Sequence, residues 1–509
     1  MPMYRNVEMP AYLIGVSAAV ILTVGCQSRQ NGEPAEAAPL KPAEVRNETS
    51  LAAVQVTGST LKINRAELSK CVEKGMAFLH EQRITDERPV EGRRFHGLYR
   101  SFKADPQNPD SESLAKYGRV WVYDQSLAVY AELKYGHADH AKQAVDALIG
   151  LAEYERSKGF RGLLHFSYNT LEDDFVDPRG PLGANLWVLN SILAFMNETG
   201  DPIRLGWVND VLQSYVFPQQ VTEPTDPRFG LFRAGLENSA DVARGNAMGY
   251  HVYEGNTSEI NSQVEFCSLE HNADAITTLR LADRLNRRFG TAPALVAEIG
   301  RRHRMVMAAL DRLWVCETDG QNHFVTGMNS DGTLNRGVAV DNNTWPASVL
   351  LPYDEDRAWQ CLQYTNRRFR TCDKGFVGLF FFENDFVDKY VNIPPEDRSH
   401  MESIIQTEAT WGFVYCLKQF AATTDSSQRE AEAQALMNEF VASMFAFQEH
   451  EHGTPYASRS IRNYFTTLQG IAGTGTAVVV CLELLGKPDD DFIGAHPSRE
   501  LWDVVSPKR

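Results

Sequence analysis

The chain has 509 residues, 43% hydrophobic, 10% aromatic and 23% charged, with 50 Lys+Arg against 66 Asp+Glu and a formal charge of −16. Average Gly and Pro content excludes a collagen-like or wholly disordered chain, and so acidic a protein repels phosphate and opposes a general nucleic-acid partner. Eight cysteines with no C-x-x-C pair make neither a disulfide scaffold nor a zinc ribbon; Cys361 with Cys372 is the one close pair suited to a bridge.

The first residues read as an address. Arg5 stands in a polar start, an apolar run follows from Ala11 to Val24, and Gly25-Cys26 closes it. The run is shorter than the ~20 residues that span a bilayer and has the layout of a secretory signal. The segment LTVGC resembles a bacterial lipobox. That likeness implies loss of residues 1–25, lipidation at Cys26 and, with Gln27 following, an outer-membrane lipoprotein facing the periplasm or the surface. Residues 26–56 are rich in Pro, Ala and Glu and aperiodic, as a flexible tether is. A single folded body is expected over 57–495, followed by a tail over 496–509.

Within that body two kinds of segment alternate. Amphipathic segments with one apolar stripe run over about 64–82, 139–158, 203–217, 294–316, 354–370 and 426–449. Between them lie segments apolar nearly all round, starting near Tyr123, Gly183, Glu270, Asp341, Thr407 and Gly473, as helices buried on both sides are. Six such alternations predict an all-α fold, a closed (α/α)6 toroid of outer and inner helices with almost no strands. Links from inner to outer helices are short, as after Gly136, after Gly200 and at Pro352; links from outer to inner helices are long, over about 83–120, 159–182, 217–262, 317–340, 371–404 and 450–470. All long links then share one face with the N-termini of the inner helices, where binding groups collect.

Four inner-helix starts carry a carboxylate: Asp124, Glu270, Asp341 and Glu408. Clustered acids raise one another's pKa and can serve as acid/base pairs, which glycosidic hydrolysis requires. Trp121, Tyr123, Gln125, Asn185, His271, Asn272, Asn343, Trp345 and Trp411 stand beside them and are expected to contact sugar, aromatic faces stacking on rings and polar tips bonding to hydroxyls.

The segments VYDQSLAVYAEL, GANLWVLNSILAF with NETGD, LEHNADA and TEATWGFVY resemble the six-hairpin glycosidase superfamily over about 57–487. The resemblance implies a hydrolase of poly- or oligosaccharides, inverting by default, with Asp124 and Glu270 as the first pair and Asp341 and Glu408 in reserve. No cofactor or metal is expected. Two other chemistries stay open on the same fold. A polysaccharide lyase would draw on His271, Asn272, Tyr390 and Arg119, with Arg93, Arg94 and Arg100 near a uronate; an epimerase needs paired histidines, of which only His271 is well placed. A non-catalytic glycan-binding lipoprotein is the third alternative.

Overall fold

In the computed structural model the striped and the all-round apolar segments become twelve helices. The residues described are 64–486 without 91, 106, 109–117, 172–178, 239–259, 292, 383–399, 449–452 and 462–465. The expected leader, Cys26, the tether, the C-terminal tail and Tyr390 lie outside them.

The outer helices are α1 (Arg65–Gln82), α3 (Ala138–Ser157), α5 (Leu205–Val211, continued by a π turn to Val216 and a last turn to Gln219), α7 (Pro293–Leu310), α9 (Glu355–Phe369) and α11 (Ser427–Phe447). The inner helices are α2 (Val122–Tyr135), α4 (Leu182–Thr199), α6 (Leu269–Arg288), α8 (Asp341–Leu350), α10 (Thr407–Thr423) and α12 (Ile471–Leu484). Each inner helix packs on the next, α2 on α4, α6, α8, α10 and α12 in turn, and α12 returns to α2, so the inner ring is closed. Burial explains why these segments lack a stripe. Every residue from Ile471 to Glu483 of α12 is buried, because the axis lies on one side and the outer layer on the other. Gly136 (φ 97°) and Gly200 (φ 70°) end α2 and α4 in the left-handed conformation, which makes the short turns to the outer layer possible.

Two sixfold hydrogen-bond patterns organise the loop face. A polar side chain in the first turn of each inner helix holds the long loop that leads into it. The backbone N–H of Tyr99 donates to Gln125 Oε1 (2.7 Å), Leu164 to Asn185 Oδ1 (3.1 Å), Phe232 to Asn272 Oδ1 (2.7 Å) and Phe324 to Asn343 Oδ1 (3.0 Å). Leu379 donates likewise to Thr410 Oγ1 (3.0 Å) and Thr454 to Thr474 Oγ1 (2.7 Å). The second pattern joins neighbours. The N–H at the start of each inner helix donates to a carbonyl of the following long loop: Val122 to Phe166, Leu182 to Ala234, Leu269 to Thr326, Val340 to Phe381, Thr407 to Tyr456 and, closing the circle, Ile471 to Ser101, at 2.7–3.1 Å. Helix-end donors that a capping side chain would otherwise satisfy are thereby used to chain the six loops together.

The sequence leads one to expect almost no strands, yet the long loops carry short antiparallel ribbons of two to five residues. Examples are Val120–Trp121 on Ser167–Tyr168 and Arg370–Asp373 on Phe376–Leu379. Pieces this short cannot display a period of two. Cys361 is buried and Cys372 exposed, and both thiols are free, so the one close pair suited to a bridge is not bonded. Among the described residues no helix is long and apolar enough to cross a membrane.

Candidate active site

The clip residues give every inner helix a common register. Two positions before the clip stand Tyr123, Gly183, Glu270, Asp341, Glu408 and Ala472. Three of the four predicted carboxylates therefore occupy equivalent places, on α6, α8 and α10, with Tyr123 equivalent on α2. The geometry agrees. Tyr123 Oη donates to Glu408 Oε1. Burial raises the Tyr123 phenol far above its ordinary pKa, and the negative fields of Glu408, Asp341 and Glu270 add to the rise. All four groups are buried, none more than 7% exposed.

Asp124, the fourth predicted carboxylate, sits one position later and is also buried; its field reaches Tyr456. The charges acting on Glu270 come from Asp274 and Glu408. Asp274 is a site residue that the sequence reading missed. It lies one turn below Glu270 on α6, and the i, i+4 spacing in Glu-His-Asn-Ala-Asp was the available signal.

Electrostatics separates these acids. Burial, then the neighbouring Asp274 and Glu408, lifts Glu270 well above the carboxylate range; burial, then Glu270 and Glu408, does the same to Asp341. Asp274 is raised by burial and by Asp341. Glu408 is pushed up only to about 7, because the Tyr123 hydroxyl and the Gln406 amide donate to its two oxygens and oppose the cost of burial. One acid is thus poised near 7 beside others raised well above the ordinary carboxylate range.

One turn below the carboxylate register, two positions beyond the clip, stand Leu127, Trp187, Asp274, Trp345, Gly412 and Thr476. Trp187 and Trp345 meet with ring centroids 5.7 Å apart, Tyr123 packs edge-on against Trp187 at 5.1 Å, and a Cβ on Gly412 would lie 3.5 Å from the Trp345 ring. His271 follows Glu270 and lies against α4. A Cβ on Gly183 would stand 2.3 Å from its Cδ2 and 3.1 Å from Asp274 Oδ2, so only glycine leaves room for the imidazole there.

The other residues expected to contact sugar have different surroundings. The amides of Gln125, Asn185, Asn272 and Asn343 are engaged with loop backbone: Asn185 Nδ2 alone donates to the carbonyls of Gly162, Leu164 and Pro181, each at 3.1 Å. Trp411 points into the wall, toward Phe445 of α11 (6.0 Å between centroids), and Trp121 packs between Phe102 and Arg119. Of the basic residues that a lyase would use, Arg119 donates to Ser167 Oγ and Arg93 is held by buried Glu155 at 2.6 Å.

No protein-family model matches the chain, and no curated protein matches it in sequence. Solved structures match it in shape. A cellobiose 2-epimerase from Bacillus thermoamylovorans superposes with a TM-score of 0.55 at 8% identity, over 83% of this chain and 99% of that one. A D-mannose isomerase gives 0.54 at 11% identity, over 85% and 100%. A glycosidase variant in complex with glucose gives 0.53 at 12% identity, over 84% and 98%. The closed ring of six inner and six outer helices, with its sixfold loop clips, is an (α/α)6 toroid, the fold in which these solved structures match it.

Proposed function

We propose that the protein is a carbohydrate-active enzyme that hydrolyses a glycosidic bond in a poly- or oligosaccharide. One observation carries this reading: Glu270, Asp341 and Glu408 occupy the same register on three inner helices and bear on one another's charge, with Tyr123 among them and the Trp187–Trp345 pair one turn below. Such a group offers proton donors and an acceptor beside aromatic surface, which is what cleavage between sugars requires. Glu270 is the proposed general acid, since burial and the neighbouring Asp274 and Glu408 raise its carboxyl well above the ordinary range. Glu408, poised near 7, is the proposed base. This pairing puts Glu408 where the sequence reading put Asp124, because Glu408 and Glu270 act on each other.

A second reading is sugar epimerisation or isomerisation. His271 is its observation, wedged against Gly183 beside Asp274, together with the shape likeness to an epimerase and an isomerase. Digestion of neutral oligosaccharides with quantification of new reducing ends tests the choice: hydrolysis creates them, whereas epimerisation returns a product of unchanged mass and chain length.

Lipidation at Cys26, with the body outside the cytoplasm, belongs to the same proposal and is supported by the Leu22–Cys26 segment and the Pro-rich tether. Metabolic labelling with a fatty-acid probe should mark the wild type and not Cys26→Ala; equal labelling of both would overturn it.

A further inference from the structure

Away from the mouth, the last turns of α1 and α2 and the first turn of α3 bring three imidazoles and a carboxylate together. His80 comes from α1, Glu132 from α2, and His137 and His140 from the start of α3. One ligand atom from each of the four lies within 4.8 Å of those of the others. The closest separations are tighter. His137 Nδ1 is 3.0 Å from Glu132 Oε2 and 3.3 Å from His80 Nε2; His80 Nε2 is 3.2 Å from Glu132 Oε1; His140 Nδ1 is 3.5 Å from Glu132 Oε1. A tetrahedral zinc ion with bonds of ~2.05 Å separates its ligand atoms by ~3.4 Å. From this match we infer that the cluster is a binding site for one divalent transition cation of the zinc type.

Two further observations point the same way. The Glu132 side chain is fully buried, and Tyr99 Oη donates to its Oε1 at 2.8 Å, the kind of outer hydrogen bond that orients a ligating carboxylate. His140 Nδ1 is buried and makes no hydrogen bond. Two imidazole nitrogens turned toward each other at 3.3 Å and toward one carboxylate gain more from a shared cation than from either tautomer. Nitrogen and oxygen donors in a set of four suit zinc, and also cobalt or nickel, better than magnesium or calcium, which take oxygen ligands. The ion would be structural, tying the first helix of the chain to the first inner–outer hairpin. The sequence signal was His137-Ala-Asp-His140, two histidines three apart at a helix start. The sequence reading expected no metal; this inference departs from it and does not depend on the proposed hydrolase activity.

The test uses the full-length protein, stripped with chelator and titrated with Zn2+ and with Co2+. The expected result is one tightly bound equivalent, visible d–d bands of tetrahedral Co2+, and a Tm raised by zinc. His137 and His140 are about a third exposed, so the double variant His137→Gln/His140→Gln should fold. It should lose the cobalt bands and the Tm response, with affinity reduced by more than the ~100-fold that loss of an outer partner costs. A wild type that retains no ion after dialysis, or a double variant that binds zinc and cobalt as the wild type does, would overturn the inference.

Discussion

The phenol of Tyr123 on the first inner helix donates its proton to Glu408 on the fifth. That bond opposes the desolvation that otherwise raises the Glu408 carboxyl. Replacing Tyr123 with Phe removes the donor and leaves an acceptor short of a partner. The acidic limb of the kcat/KM profile, set by ionisation of the base, should then move up by about 1 pH unit. A profile unchanged in Tyr123→Phe would remove Glu408 from the role of base.

Glu408 also links stability to pH. Its folded pKa, about 7, lies above the ordinary 4.5. Below 4.5 the carboxyl is protonated in both states and brings no penalty. Between about 4.5 and 7 the unfolded chain ionises first, so the native state is progressively destabilised as pH rises, by about 3 kcal/mol in all. Glu408→Gln should flatten this dependence and stabilise the protein above pH 7. Urea denaturation from pH 4.5 to 8 compares the two slopes, and parallel curves would refute the assignment.

Asn185→Ala tests the loop clips. The change leaves the buried Leu164 N–H and three carbonyls without their amide partner. A loss of about 3 kcal/mol or more is expected, since each abandoned buried group costs about 1–3 kcal/mol. A denaturation midpoint within error of the wild type would mean that these clips do not hold the loops.

Gly183→Ala probes the packing around His271. The added Cβ would fall 2.3 Å from the imidazole, so the ring must be displaced, at a stability cost of about 1–3 kcal/mol. The hydrolytic reading predicts a drop in kcat as well, because the ring stands beside Asp274, whose charge acts on Glu270. Wild-type kcat in this variant would exclude His271 from the site.

The toroid was legible in the sequence because its two layers bury differently. Segments such as Gly473–Leu484 show no stripe since both faces are covered, while Arg301–Val315 shows one. The six long loops could be placed from link lengths alone. The roles of first-turn residues could not. Asn185 and Glu270 are both polar residues at an inner-helix start, and only their partners distinguish a loop clip from an axial acid. Counting positions from the clip separates Asp124 from Glu408, but the clip itself is visible only once the loop backbone is folded against it. Asp274 beside Glu270 and His140 beside His137 follow from helical spacing, whereas His80 and Glu132 join those histidines only once α1, α2 and α3 are packed.

The measurement that bears most directly on the account is product analysis of neutral oligosaccharides treated with wild type, Glu270→Gln and Glu408→Gln. The account predicts new reducing ends with the wild type and a loss of at least ~100-fold with either variant, the scale expected when a positioned acid or base is removed. Products of unchanged chain length, unsaturated uronate ends, or cleavage undiminished in both variants would contradict it.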